Sequence, residues 1–316
     1  MHPWSQLFSL KRGAVDEISI HGIASYCSRD KTTKLPDTTV VTRSLLKPWQ
    51  ALATVYESPL IKTDSCCVMS FASHSGEARH LAALDELCAL LNVSMDEIKC
   101  PSSYPLDHSS AVQMEAQNDP TAARYHPCSG KHLAMLGAAR GLGISGVNYC
   151  APVHPVQILV RRAVEAYFAT DISWLVDSCG LPVAAMSLEG FIRGWQKLAL
   201  DQGISACSLK HSWIENPLLV GGTGRIDSAI VALGQGNFIA KEGADGLLIV
   251  QCLVTGDTIF VKIASGYNPK YMGLALLRAL SEMNGADHPF SRLLEWANAM
   301  TAEWVPKDQT LTLSGL

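Results

Sequence analysis

Strand-like sequence lies at the two ends of this chain and helical sequence fills the middle, and that distribution limits the folds open to it. Near the start, "GAVDEISIHGIASYC" alternates apolar and polar residues with the period of two expected of a half-buried strand. Near the end, "NFIAKEGADGLLIVQCLVTGDTIFVKIASG" reads as strands joined by turns, with a hairpin at Thr255-Gly256-Asp257, and a final helix follows at "KYMGLALLRALSEM". Between them, Leu81, Leu84, Leu87, Cys88 and Leu91 recur with helical spacing, and "HPVQILVRRAVEAYFA" and "SLEGFIRGWQKLAL" carry helix-start signals at Pro155 and Ser187. "CCVMSFA" reads as a buried strand, which would set Ser73 and Ser75 on a strand-to-helix turn. These textures predict an α+β fold, α/β/α-like in its layers, with a single antiparallel or mixed sheet formed by both chain ends around a helical middle.

No repeat, low-complexity block or Pro/Gly/Ser-rich linker divides the 316 residues, so 1–316 is read as a single domain. The formal net charge of -4 gives no electrostatic reason to hold nucleic acid or anionic membrane, which leaves a small molecule as the partner. The start lacks the pattern of a signal peptide and no apolar run is long enough to span a bilayer. Ten scattered cysteines, Cys66 and Cys67 adjacent, suit buried thiols in a reducing cytoplasm better than a disulfide framework.

Four segments combine turns with reactive side chains: Arg43-Ser44-x-x-Lys47, Ser73-His74-Ser75-Gly76-Glu77, Cys128-Ser129-Gly130-Lys131-His132, and Lys241 to Gly246. A serine hydroxyl needs a base, and a lysine one helical turn away serves if burial or a neighbouring cation lowers its pKa. Pro48 is tolerated only in a first helical turn, so a helix should begin around Ser44 to Lys47 with both side chains on one face. Alone, this spacing is more often a capped helix start with a solvated lysine; Ser73 or Ser75 is more often an N-cap; and "KEGADG" is more often a turn with an exposed lysine. Together the order differs in weight: Ser-x-x-Lys, then a second serine, then Lys-x-Gly at a strand's end is the order of the serine acylating enzymes. Nucleotide-binding loops and zinc-finger cysteine pairs find no match.

The four segments, with "DSCGLP" and "GGTGRIDS", resemble the asparaginase II family of the Rhizobium etli type, the class 3 L-asparaginases, from "KRGAVDEISIHG" to "KIASG". The resemblance implies a fold like that of serine glutaminases and serine beta-lactamases, a homodimeric catalytic domain, and hydrolysis of L-asparagine to L-aspartate and ammonia; the cysteine usage makes cytoplasmic the expected location. By the same resemblance, Ser44 with Lys47 and Ser75 with Lys241 are expected as two catalytic dyads. Cys128, Lys131 and Cys179 are expected to hold zinc, leaving a fourth position open in a tetrahedral shell. Arg43, Ser73, His74, His132 and Asp177 are expected around the substrate. The chain departs from the family pattern at the residue before Cys128 and in "KIASG". A serine glutaminase or beta-lactam-reactive acyltransferase of the same architecture is the alternative enzyme, and a non-catalytic zinc-binding protein the alternative of another class.

Overall fold

The computed structural model describes residues 4–31, 33–56, 65–118, 120–283 and 288–315. In chain order, β1 (Ser5–Arg12) and β2 (Val15–Cys27) form a hairpin and β3 (Thr39–Val41) follows. A 3-10 turn over Arg43–Leu46 runs into α1 (Lys47–Ala51) and a π turn over Leu52–Tyr56. After a second 3-10 turn, Ser65–Ser70, come α2 (Ala78–Leu91), α3 (His108–Ala116), α4 (Ser129–Gly141) and α5 (Pro155–Tyr167). Next are β4 (Ile172–Val176), β5 (Pro182–Ser187), α6 (Leu188–Leu200), α7 (Ile204–Glu215), α8 (Pro217–Val220) and α9 (Ile226–Gly234). The chain ends with β6 (Phe238–Gly243), β7 (Leu247–Cys252), β8 (Thr258–Ile263), α10 (Pro269–Leu280), α11 (Ser291–Trp304) and β9 (Thr310–Leu313).

The main sheet is antiparallel, in the order β6-β7-β8-β2-β1-β9, so both chain ends do complete one sheet. Its layering follows from register. Phe8 pairs with Ile20 and Gly22 pairs with Ile263, which puts Phe8 and Ile263 on one face; Phe260, three residues from Ile263, lies on the other. Phe8 meets Tyr271 of α10, whereas Phe260 meets Phe191 of α6, so helices cover both faces. That explains why β6 and β7 are buried at every residue instead of alternating. Trp49 of α1 is fully buried against Phe168 and Trp195, with ring centroids 4.5 and 5.1 Å away, and it pins the Ser44 turn into the core. Truncating such a residue costs about 3–5 kcal/mol.

Three expectations need correction. "CCVMSFA" is not a strand: Ser65–Ser70 coils as a 3-10 turn in which Ser70 Oγ donates to the Cys67 carbonyl at 2.6 Å. An unbroken apolar run marks burial but has no period to separate strand from helix. The α10 helix is not the last element, since α11 and β9 follow it. A second antiparallel sheet, β3-β5-β4, lies within the helical middle, so the sheet is not single. The expected run through "WQALATVYES" ends at residues 57–58, outside the described residues. The starts of α5 at Pro155 and of α6 behind Ser187, whose Oγ accepts from Gly190 N at 3.2 Å, are as expected.

Candidate active site

The Ser44-x-x-Lys47 turn is neither capped by its serine nor solvated at its lysine. Lys47 is completely buried, and Nζ donates to three oxygens: the Ala72 carbonyl at 2.5 Å, the Pro127 carbonyl at 2.8 Å and Ser73 Oγ at 2.9 Å. One side chain thus ties α1 to the segment before α2 and to the approach to α4. Burial is the main reason its pKa falls to about 8; the nearby Lys241 and Lys131 cations lower it too, against the opposing pull of Cys128. Half-buried Ser44 sits on the wall of the adjoining cavity.

The hydroxyls of Ser73 and Ser75 have different partners, Lys47 for the first and Glu77 for the second. Backbone bonds from Ser73 N to the Val220 carbonyl (2.9 Å) and from Ser75 N to the Gly221 carbonyl (2.8 Å) strap the segment to α8 and the glycine turn after it. Neither serine caps α2. That role falls to Glu77, whose own N–H donates to His80 Nδ1 at 3.1 Å. Ser75 Oγ donates to Glu77 Oε1 at 2.9 Å, and the same carboxylate takes Thr223 N and Oγ1. Lys241 is in another network. It is completely buried in β6 and its Nζ donates to Asp227 Oδ2 at 3.2 Å and to the Glu242 carbonyl at 3.3 Å. The serine that meets a catalytic-type lysine is therefore Ser73, through Lys47, while Ser75 and Lys241 are bonded apart.

The cysteines expected at the metal do converge. Cys128 caps the N-terminus of α4, Lys131 lies one turn on, and Cys179 follows β4 in the "DSCG" turn; all three are buried. The Cys128 and Cys179 side chains hydrogen-bond each other. That bond and the Lys47 and Lys131 cations hold Cys128 far below the ordinary thiol range, while the same bond and burial push Cys179 up. Burial alone would lower Lys131, but Cys128, Cys179 and Asp177 outweigh it and keep it a cation, with Asp177 Oδ2 3.7 Å from its Nζ. Asp177 also accepts from Arg43 Nε at 2.8 Å, and Arg43 reaches Ser178 Oγ at 3.2 Å and the Asp245 carboxylate. Arg43 adopts φ 45°, an uncommon left-handed conformation for a non-glycine residue. Gly130 makes the approach of α4 possible, since a Cβ there would fall 2.0 Å from the Met69 carbonyl.

A cavity of about 500 Å³ opens over these groups, with Arg43, Ser44, Ser73, Cys128 and Asp177 on its walls. Its size suits a small-molecule ligand. A family model described as L-asparaginase II matches residues 9–309. The chain belongs to the L-asparaginase II family. None of the curated proteins matches it. The family is one of L-asparaginase-type amidohydrolases, with asparagine as the implied substrate. Among the described residues, no helix is long and apolar enough to cross a membrane.

In this asparaginase II chain, His74 and His132 stand behind the cavity instead of lining it. His74 is fully buried with Nε2 2.8 Å from Ser129 Oγ, and His132 is fully buried with Nδ1 2.5 Å from Tyr149 OH. Burial first, then the Lys131 cation, lowers His132 to about 3, so it stays neutral. The donor set suits zinc: two adjoining sulfurs and an amine match its tetrahedral, sulfur- and nitrogen-rich preference. Lysine has to be counted for this to hold, because among the described residues no three His, Cys, Asp or Glu side chains cluster as a metal site. Here protonated Lys131 supplies the positive charge that a dication would replace. Sequence reasoning did not single out Arg225, Glu242, Tyr267, His126 and Ser178, which also line the cavity, or Asp227 behind it. The only signal was that "DSCGLP", "GGTGRIDS" and "KEGADG", which carry Ser178, Arg225, Asp227 and Glu242, were already words of the family resemblance.

Proposed function

We propose that the chain hydrolyses L-asparagine to L-aspartate and ammonia through a serine acyl-enzyme, with Ser44 as nucleophile and Lys47 as base. The observation that carries this is Lys47: a fully buried amine with a depressed pKa, hydrogen-bonded to Ser73 Oγ, in the turn that presents Ser44 to the same cavity. Ser44 Oγ bonds to the side-chain amide carbon, and its proton passes to Lys47 directly or through Ser73. The C–N bond then breaks as the departing nitrogen takes that proton back, leaving as ammonia. Water next attacks the aspartyl ester; its proton goes to Lys47 and returns to Ser44, and aspartate departs. Lys241, paired with Asp227, acts as a fixed cation beside this relay. The amides of Ser73, Ser75 and Glu77 are already bonded, so they are not free to hold the developing oxyanion.

Cys128, Lys131 and Cys179 would hold zinc, which when bound supplies positive charge next to the cavity. Asp177 and Arg43 then position the substrate from its edge. The same proposal takes residues 1–316 as one catalytic domain working as a cytoplasmic homodimer; what supports a single domain is that the cavity draws on residues from Arg43 to Tyr267 while both ends close one sheet.

Ammonia release from L-asparagine and L-glutamine, and the colour change of a chromogenic beta-lactam on ring opening, each with and without added zinc, test the reading. Turnover of asparagine supports it, with Ser44→Ala reducing kcat by about 10³-fold or more. Turnover of only the other two compounds would point to the serine glutaminase or beta-lactam-reactive alternative. Mass spectrometry after brief exposure to a slow asparagine analogue locates the acyl group, and an adduct on Ser73 would overturn the assignment to Ser44. Light scattering of the purified protein tests the dimer.

A further inference from the structure

Most cations around the cavity are already matched. Arg43 is shared by Asp177, Asp245 and Ser178; Lys47 fills three acceptors; Lys131 faces Asp177; Lys241 faces Asp227. Arg225 differs. Its Nε and Nη2 both go to one oxygen, Glu242 Oε2, at 2.9 and 2.7 Å, and this leaves Nη1 with a contact of 3.5 Å to the Ser73 carbonyl, at the long limit of a hydrogen bond.

The charge of Glu242 is meanwhile divided among other donors. Its Oε2 also accepts Tyr267 OH at 2.7 Å, and its Oε1 accepts Ile226 N at 2.7 Å and Asp227 N at 3.3 Å, where the N-terminus of α9 favours an anion. Glu242 is 1% exposed, so it holds the guanidinium in place from below without turning with it. The Tyr267 ring packs 5.5 Å from the guanidinium carbon. The result is a rigid fork: two prongs fixed to a buried carboxylate and the third directed toward Ser73 on the cavity wall. A guanidinium is always charged and its planar donors match a carboxylate.

We propose that Arg225 binds the α-carboxylate of the substrate through Nη1, making a free carboxylate a requirement for tight binding. This rests on the reading of the cavity as an amidase site for a free amino acid, and it names the residue that selects such a substrate over an amide-blocked one.

The experiment compares L-asparagine with L-aspartic acid diamide, in which only the α-carboxylate is replaced by carboxamide. Binding of both is measured by calorimetry on the Ser44→Ala protein, with and without Arg225→Met, and ammonia release is followed in parallel on proteins that keep Ser44. The expected result is that asparagine binds at least about 30-fold more tightly than the diamide, the usual scale for a desolvated charge pair. Arg225→Met should weaken asparagine by a similar factor, leave the diamide within about threefold, and so abolish the preference. Tyr267→Phe, which removes one bond to Glu242 but keeps the cation, should retain it. Equal binding of the two compounds, binding of neither, or a preference that survives Arg225→Met would overturn the inference. If the carboxylate preference holds in binding but no ammonia is released by proteins with Ser44 intact, the amidase reading fails and Arg225 remains a carboxylate anchor.

Discussion

Asp227 and Lys241 form an ion pair with no exposed atoms on either side chain, and removing one charge from it should be among the most costly substitutions in the protein. The two approach to 3.2 Å; Asp227 Oδ2 also accepts Glu242 N at 3.0 Å, and its Oδ1 accepts Ser228 N at 2.9 Å. Burial by itself pushes the Lys241 amine down, and Asp227 is the largest group opposing that. Asp227→Asn keeps the volume but leaves an ammonium buried without its countercharge, for which the penalty is about 3–5 kcal/mol. An unfolding entropy of about 2.1 cal/mol/K per residue over 316 residues makes each kcal/mol worth about 1.5 °C, so Tm should fall by about 5–8 °C. Lys241→Met added to Asp227→Asn removes the stranded charge and fills the space with an apolar chain, so it should recover most of that loss. Calorimetric unfolding of the wild type, both single variants and the double variant measures this directly. A drop under about 1 kcal/mol for Asp227→Asn, or a double variant no more stable than it, would refute the reasoning that the pair is held by charge compensation.

If the neutral Lys47 amine is the base, kcat/KM should rise with pH and level off above about 8, because burial and the Lys241 and Lys131 cations bring its pKa down from 10.5; a pH–rate profile flat between 6.5 and about 9.5 would exclude it. Ser75→Ala should leave kcat within about tenfold of the wild type, since that hydroxyl only joins the Glu77 network, whereas Ser73→Ala, which empties a hydrogen bond of Lys47, should lower it by about 10²-fold or more; steady-state kinetics separate the two. Gly130→Ala should force α4 away from the Met69 carbonyl and shift Cys128 and Lys131, weakening zinc about 10-fold or more in a competitive chelator titration, while the exposed-residue variant Arg140→Ala at the far end of α4 does not.

What was legible in the chain and what was not divide along a physical line. Helix and strand textures at the ends carried the main sheet, because period-two alternation and turn residues are local properties. Proline at 155 and serine at 187 located two helix starts for the same reason, and of the residues that the family words group, Ser44 and Cys128 line one cavity while Lys47, Lys131, Cys179 and Lys241 are buried. The partner of Lys47 was not legible. "SHS" offers two serines of the same chemistry, and the choice between them is made about 145 residues away, where the carbonyls of Val220 and Gly221 receive Ser73 N and Ser75 N and fix how the segment lies. The glycine at 222 enforces that choice: a Cβ there would fall 2.0 Å from Ser75 Oγ and 2.4 Å from Glu77 Oε1, so the turn closes only if the residue is bare. Ser75 is thereby packed onto Glu77, and Ser73 is left to Lys47. The words "SHS" and "GGTGR" read as separate motifs along the chain, yet in the fold they are two halves of one device that decides which hydroxyl reaches the base.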